Sequence, residues 1–465
     1  MRLHDTPREI DEYRLVLVGL GSQGTWTDLN GLVARLPRVT IPRWTRPAEQ
    51  LQRAIEGTWH TRAIVLDFYP GGKNHAPSAI AEISSSQSPH GLTAVGIDEL
   101  PETEMTGGER AVIKEILEGN PGIRGPFSRI GWIEEAKAWL CAEARHNVDL
   151  SGEIWQYNAA GTFALVRFGT RSGPAYWLKG TGEPNVHEFE VARILAETCP
   201  EFLPTQIAAR EDWNAWLMED AGQPVKTWNL PALERAVLSM ASIQMKFVGR
   251  VGELLAVGAT DQRISTLHEH ICEVVEYLNE AMAQQVSSRV PRVEPRRLWQ
   301  IASILQNACC CMEDLGIPDT LIHNDLNSGN ILFSERGCVF TDWCESCVGN
   351  PFCAFQQLCL LQPSGTGDWI SKLRMIYKNC WLDLLHSSQI DAAFTLAPLL
   401  AIFSHLYGRG TWLHSPRRNE SQCGCVFGQG RGGMAAFAGQ GLGVDGFGRV
   451  RNTHQGRSFE RRGHG

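Results

Sequence analysis

The chain has 465 residues, enough for two or three domains at about 150 residues each. It is 43% hydrophobic and 20% charged, which supplies sizeable cores and excludes global disorder. A formal net charge of -8 argues against a general nucleic-acid or membrane-surface role, while leaving room for a local basic patch. The opening MRLHDTPREIDEY lacks the apolar run of a signal peptide, and no stretch reaches about 18 uncharged apolar residues, so neither a leader nor a spanning helix is expected. Fourteen cysteines without the spacing of a secreted scaffold read as free thiols of a cytoplasmic protein.

Residues 13–18 (YRLVLV) read as a strand. GLGSQG at 19–24 matches G-x-G-x-x-G, but no apolar helix comes after it and no parallel-sheet unit is evident around it, so a hairpin turn to a short return is the better reading. Strands are predicted at 39–44, 62–69 and the start of 91–100, with a short helix at 51–57 and further helices at 107–118 and 132–145. Residues 1–120 are thus expected to form a small α/β domain, with a helical linker over 121–149. From 150 the pattern changes. Strands at 153–157, 162–169 and 175–180 precede an amphipathic helix at 185–197, where Phe189, Ala192 and Ile194–Leu195 fall close to one face. TQIAAR (205–210) and AWLMED (215–220) complete a five-strand, one-helix unit over 150–222. Residues 223–410 read as mostly helical, interrupted by a strand pair, TLIHND and NILF, and then CVFTDW. The stretch 411–465 is rich in glycine and arginine, lacks a packable period and reads as disordered; RNA binding through this basic tail is a minor alternative.

The chemistry concentrates in LIHNDLNSGNILF (321–333) and CVFTDW (338–343). Asp325, Asn330 and Asp342 supply two carboxylates and an amide in a strand–loop–strand setting. Phosphoryl transfer needs one carboxylate to orient the attacking hydroxyl and accept its proton, and an amide with a second carboxylate to hold Mg²⁺ against the phosphates. Mg²⁺ prefers such hard oxygen ligands.

H-N-D-L-N-S-G-N-I-L, then T-D-W and G-N-P-F (349–352), resembles the aminoglycoside phosphotransferase family. The resemblance spans about 150–407 and implies an α+β, bilobal, protein-kinase-like fold, with 150–222 as N-lobe and 223–410 as C-lobe. It implies Asp325 as catalytic base, Asn330 and Asp342 as Mg²⁺ ligands, and His323 as the histidine that buttresses the loop. Asn324 stands where the family usually has glycine; asparagine tolerates left-handed backbone angles better than most residues. Asn327–Ser328–Gly329 replaces the usual histidine-proline-glycine. Neither change removes a group the mechanism requires. Upstream, the resemblance implies Lys179 as the strand lysine that pairs with ATP phosphates and Glu190 as the helix glutamate that orients it; Glu188, two residues away, lies on a different face. LMEDAG (217–222) is implied as the connection between lobes, with Met218, Glu219 and Asp220 beside adenine. NAAGTF (158–163) is the best candidate for the nucleotide-covering loop.

ATP and Mg²⁺ are the implied cofactors and a small hydroxylated molecule the implied acceptor. In the C-lobe helices after residue 351, over 351–410, the acidic residues are few (Asp368, Asp383, Asp391), which disfavours polycationic aminoglycosides and leaves sugars or amino alcohols open. The chain further resembles a subgroup whose N-terminal region looks like a degenerate Nudix domain, through IPRWTRPAEQLQRAIEG (41–57) and TAVGIDELPE (93–102). The R-E-x-x-E-E helix of a working Nudix hydrolase is not found, so that region is expected to be non-catalytic. Two alternatives stay open: a nucleotide-binding pseudokinase or regulatory protein, and a Nudix-like hydrolase in 10–120. Cys344 and Cys347 form C-x-x-C, but zinc would need a second well-spaced pair, and packing thiols are the expectation.

Overall fold

In the first strand, β1 (Ile10–Gly19), Tyr13 to Val18 are buried without alternation, as in a strand covered on both faces. The computed structural model describes residues 10–19, 24–30, 33–43, 45–71, 76–83, 88–119, 124–144, 148–285, 291–334, 337–363, 368–408, 442–445 and 449–452. The turn of GLGSQG and the tail cysteines Cys423 and Cys425 lie outside these residues. So does most of 411–465, whose described parts, Leu442–Asp445 and Arg449–Asn452, pair as antiparallel strands.

The strands β2 (Gly24–Asn30), β3 (Val33–Arg35) and β4 (Arg38–Pro42) come next, then helix α1 (Pro47–Trp59), β5 (Ala63–Tyr69), β6 (Ser78–Ile83), β7 (Thr93–Gly96), and helices α2 (Gly107–Leu117) and α3 (Trp132–Glu143). The seven strands form one mixed sheet with the path β3-β2-β1-β6-β5; β4 pairs with β1 and β7 with β2. β2 is the expected return strand, with Leu17 opposite Trp26. β1 also runs parallel to β6, so a parallel pair exists where none is evident in the sequence. β6 itself, SAIAEI, is a strand that the sequence pattern does not announce: it is buried throughout although it carries Ser78 and Glu82.

Five more strands form a second, antiparallel sheet: β8 (Leu150–Ala159), β9 (Ala164–Thr170), β10 (Tyr176–Gly180), β11 (Gln206–Arg210) and β12 (Ala215–Glu219), in the order β11-β12-β10-β9-β8. Helix α4 (Glu188–Thr198) is inserted after β10. This is the expected five-strand, one-helix unit, and the chain as a whole is mixed α+β.

After β12 come β13 (Gln223–Pro224), α5 (Leu230–Phe247), α6 (Val251–Ala256), β14 (Thr260–Gln262), α7 (Ile264–Glu269), α8 (Ile271–Ala283), α9 (Pro295–Asp314), β15 (Thr320–Ile322), β16 (Ile331–Ser334), β17 (Gly337–Phe340), β18 (Cys347–Gly349), α10 (Pro351–Cys359), α11 (Trp369–Trp381) and α12 (Ser387–Gly408). TLI and NILF are not partners of each other: β16 pairs with β17 and β13.

The chain divides into two compact units. One comprises Met1–Thr260, Thr320–Val348 and Gln357–Ile376; the other comprises Asp261–Asp319, Gly349–Gln356 and Tyr377–Gly465. In the first, the two large sheets share one core: Val16, Ile64 and Ile80 from the mixed sheet, Val166, Phe168 and Leu178 from the antiparallel sheet, and Phe127, Trp132 and Leu140 between them. In the second, α12 packs on α9 and α7. By length and composition α12 is apolar enough to cross a membrane, contrary to the expectation from the sequence that no such helix exists. Its buried residues Ile390, Ala393, Phe394, Ala397, Leu400 and Phe403 recur every three or four positions, the pattern of a helix seated in a core.

Candidate active site

Lys179 lies near the end of β10. Successive side chains of a strand point to opposite faces, so the burial of Leu178 in the shared core directs Lys179 the other way. There its Nζ lies 2.5 Å from Glu188 Oε1 and 2.6 Å from Asp342 Oδ1, and 5.9 Å from the centre of the Trp216 ring.

The helix glutamate that meets Lys179 is therefore Glu188, not the expected Glu190. Residues two apart on a helix are separated by about 200° around its axis. Glu188 lies on the buried face with Phe189 and Ala192, whereas Glu190 points outward and pairs with Arg193 at 2.8 Å. Glu188 is 1% exposed. Its Oε1 also accepts the backbone N–H of Trp343 at 2.9 Å, and its Oε2 is buried with no hydrogen bond among the described residues. One carboxylate thus links β10, α4 and the segment after β17.

The loop between β15 and β16 holds the second group of side chains. His323 is fully buried, and its Nε2 lies 2.9 Å from the Thr341 carbonyl while its Nδ1 accepts the backbone N–H of Asp325 at 3.3 Å. That pattern defines a neutral ring with its proton on Nε2. Burial holds its pKa below the usual value, against the opposing charges of Asp325 and Asp342. Asn330 Nδ2 donates to both Asp325 Oδ2 and the Asp325 carbonyl, each at 2.9 Å. The Asn330 carbonyl accepts the N–H of Thr341 at 3.0 Å, which brings the Asn330 backbone beside the residue before Asp342.

Two non-glycine residues of the site adopt left-handed backbone angles, Asn324 (φ 62°) and Asp342 (φ 66°). Asn324 is held by Gln357 of α10, whose Nε2 donates to Asn324 Oδ1 at 3.0 Å, while its Oε1 accepts the Leu326 N–H at 3.4 Å. Gln357 therefore grips the loop on both sides of Asp325. Nothing in the sequence singles it out, and only its contacts reveal it.

Charge and burial oppose each other here. Burial alone would lower the Lys179 pKa, but Asp342 and Glu188 outweigh it and the pKa is raised. Burial would raise that of Asp342, yet Lys179, aided by a hydrogen bond from Cys344, brings it down to about 2. Burial, with the Asp342 charge, pushes Glu188 up to about 7 against the pull of Lys179. Asp342 is thus ionised across the physiological range and can hold a hard cation. The donor set suits Mg²⁺: an ionised carboxylate oxygen on Asp342 and an amide oxygen on Asn330, with the Lys179 ammonium already standing as a cation against Asp342. Glu188, Asp342 and Cys344 also offer ligand atoms within 4.8 Å of one another, around the same ammonium. The C-x-x-C thus contributes one thiol to the charged cluster, and no disulfide joins any described cysteine.

The residues expected beside adenine are tied into the fold. The Glu219 N–H donates to the Thr205 carbonyl at 2.9 Å and the Asp220 N–H to the Ala175 carbonyl at 3.1 Å. The Asp220 carboxylate accepts from Trp177 Nε1 at 3.1 Å and from the Gly222 N–H at 3.0 Å. Met218 is half-buried in β12. The Glu219 and Asp220 amides are thus both committed to neighbouring carbonyls.

Residues 247–370 match the family model described as the phosphotransferase enzyme family. The match includes His323, Asp325, Asn330, Asp342 and Gln357 and stops short of Lys179 and Glu188 in the other direction. No curated protein matches the sequence. Among solved structures, the chain is similar to an ethanolamine kinase from Plasmodium vivax (16% identity, 61% of this chain and 82% of the other, TM-score 0.40). It is similar also to a macrolide 2'-phosphotransferase from Brachybacterium faecium (15%, 62% and 97%, TM-score 0.39) and a choline kinase from Streptococcus pneumoniae (13%, 65% and 99%, TM-score 0.38). The chain thus carries a segment matching the phosphotransferase enzyme family, and that segment includes the loop that holds Asp325 and Asn330.

Proposed function

We propose that the protein is an ATP-dependent phosphotransferase that moves the γ-phosphoryl group of ATP to a hydroxyl of a small molecule. The observation that carries this is the joining of two charged groups of atoms: Lys179 between Glu188 and Asp342, and Asp325 held by Asn330, with Thr341 bonded to both His323 and Asn330. The matched segment 247–370 supports it.

In this mechanism the Asn330 amide fixes one carboxylate oxygen of Asp325 and leaves the other to accept a proton. The acceptor hydroxyl, aligned by Asp325, gives up that proton as its oxygen bonds to the γ-phosphorus; the bond from that phosphorus to the bridging oxygen breaks, and ADP leaves. Lys179, fixed by two carboxylates, presents its ammonium to phosphate oxygens. Asn330 and Asp342 would hold Mg²⁺, which when bound offsets negative charge on the phosphates. His323 keeps the loop seated on the end of β17 through its two ring nitrogens. The bilobal kinase-like arrangement, with lobes at 150–222 and 223–410, belongs to the same proposal, as do a cytoplasmic setting and a Nudix-like N-terminal region without catalysis of its own. The scarcity of carboxylates over 351–410 disfavours aminoglycosides as acceptors and leaves sugars, amino alcohols and similar metabolites open.

A screen of the full chain with Mg-ATP and a panel of hydroxylated acceptors tests this. ATP consumption should depend on one acceptor class, and mass spectrometry should find that acceptor heavier by one phosphoryl group. Tight Mg-ATP binding with no turnover across the panel would contradict it and favour a nucleotide-binding regulator.

A further inference from the structure

We infer that the N-terminal mixed sheet acts as a collar for the nucleotide site: Asp67 of β5 anchors the segment 124–128, and that segment holds the β8–β9 turn in place beside Lys179. This rests on the ATP reading proposed above.

The register of the antiparallel sheet places the turn. Leu165 lies opposite Lys179 and Ala164 opposite Gly180, so the residues joining β8 to β9 sit at the Lys179 end of β10. The turn is closed by Ala160 N–H to the Phe163 carbonyl at 2.9 Å and by the reverse bond at 3.3 Å. A hairpin turn so placed is suited to offering backbone groups to phosphates, but a short turn holds its shape poorly without support.

Segment 124–128 supplies that support through backbone contact. The Phe127 N–H donates to the Gly161 carbonyl at 3.0 Å. A Cβ on Gly161 would stand 1.8 Å from the Arg124 carbonyl oxygen, and one on Gly125 would stand 2.3 Å from the Gly161 carbonyl oxygen. The Phe127 ring presses on Gly180, the neighbour of Lys179, where a Cβ would come within 2.2 Å of it. Main chain therefore meets main chain with no room for a side chain, and a shift of 124–128 is passed directly to the turn.

Asp67 fixes the segment at both ends. The register of β5 against β6 is irregular between Val65 and Asp67. The Asp67 carboxylate is 7% exposed as a residue, and its Oδ2 accepts from Arg124 Nε at 2.7 Å and from Ser128 Oγ at 3.0 Å. Its Oδ1 accepts the Phe68 N–H at 2.8 Å. A second tether runs beside it: the Gln156 side chain of β8 exchanges two 2.8 Å bonds with the Val65 backbone of β5. The mixed sheet thus holds β8 directly and the turn through Asp67, which makes Asp67 a positioning residue for a nucleotide it does not itself touch.

The test compares binding of Mg-ATP and of adenosine to the full chain by calorimetry, in wild type, Asp67→Asn and Ser128→Ala, with thermal melts to confirm folding. Arg124→Gln replaces Asp67→Asn if the latter does not fold. The collar predicts that ATP binding weakens about tenfold or more in the variants while adenosine binding changes less than about twofold, because only the phosphates meet the turn. A purely structural role would weaken both ligands alike, and that outcome, or unchanged ATP affinity in folded variants, overturns the inference. If wild type itself binds ATP no better than adenosine, the ATP reading fails, and the collar falls with it.

Discussion

Lys179 has two carboxylates within 2.6 Å, and only one of them can be spared for a metal. Glu188 is buried and bonded to Trp343, so it is the partner that fixes the lysine, while Asp342, the more exposed of the two, is the one that the proposed mechanism assigns to a cation. Breaking a buried ion pair from one side leaves an uncompensated charge and is costly. Glu188→Gln is accordingly expected to lower kcat/KM by about tenfold or more, whereas Glu190→Gln, which removes a surface pair with Arg193, should stay within about twofold. Steady-state kinetics of both variants checks this; the opposite ranking would restore Glu190. The signal for Glu188 is present in the sequence, since it stands four residues before Ala192 and seven before Leu195 on the apolar stripe. A carboxylate in a buried stripe is hard to credit from sequence because the groups that stabilise it, the Lys179 ammonium and the Trp343 N–H 155 residues away, are brought to it only by the fold. Gln357 gives no such signal. Its amide holds Asn324 in a left-handed conformation and caps the Leu326 N–H, so Gln357→Ala should lower kcat about tenfold with ATP affinity unchanged. Raised KM for ATP with intact kcat would argue against a role at Asp325.

Among the elements, the strands of the antiparallel sheet are legible because turn residues such as NAAG and TRSG punctuate short apolar runs. β6 is not, because Ser78 and Glu82 break the apolar run of SAIAEI. Their partners come from distant chain: Glu109 of α2 bonds Ser78, and the N–H of Gly131 donates to Glu82 at 2.9 Å. In the region read as mostly helical, α7 and α8 are parted at His270 (φ -98°, ψ 4°), a break that apolar periodicity does not record. Past the end of α9, Asp319 faces Arg263, Asp261 and Glu313; burial dominates and, despite Arg263, pushes its pKa up to about 6. An acid with a raised folded-state pKa opposes folding once pH rises above its unfolded value near 3.9 and does so fully above about 6. Asp319→Asn is therefore expected to raise the thermal midpoint at pH 8, to keep about half of that advantage at pH 5 and to lose nearly all of it below about pH 4. A gain at pH 5 as large as at pH 8 would contradict the buried-charge explanation.

At the scale of the whole molecule, the active site of the proposed enzyme is assembled from Lys179 on β10, Glu188 on α4, the loop after β15 and Asp342 after β17, all within one compact unit. The loop is legible in the sequence because Asp325, Asn330 and Asp342 fall within 18 residues and need only short strands to support them. The joining of the mixed sheet to the antiparallel sheet is not, because it depends on a shared core and on Gln52, Gln156 and Asp67, each ordinary in its local setting. The proposal that Asp325 is the proton acceptor of a phosphotransfer reaction is tested most directly by Asp325→Asn, which keeps shape and removes basicity. Turnover with the identified acceptor should fall at least about a hundredfold while Mg-ATP affinity stays within about twofold of wild type. Turnover at the wild-type rate in a folded Asp325→Asn variant would contradict it.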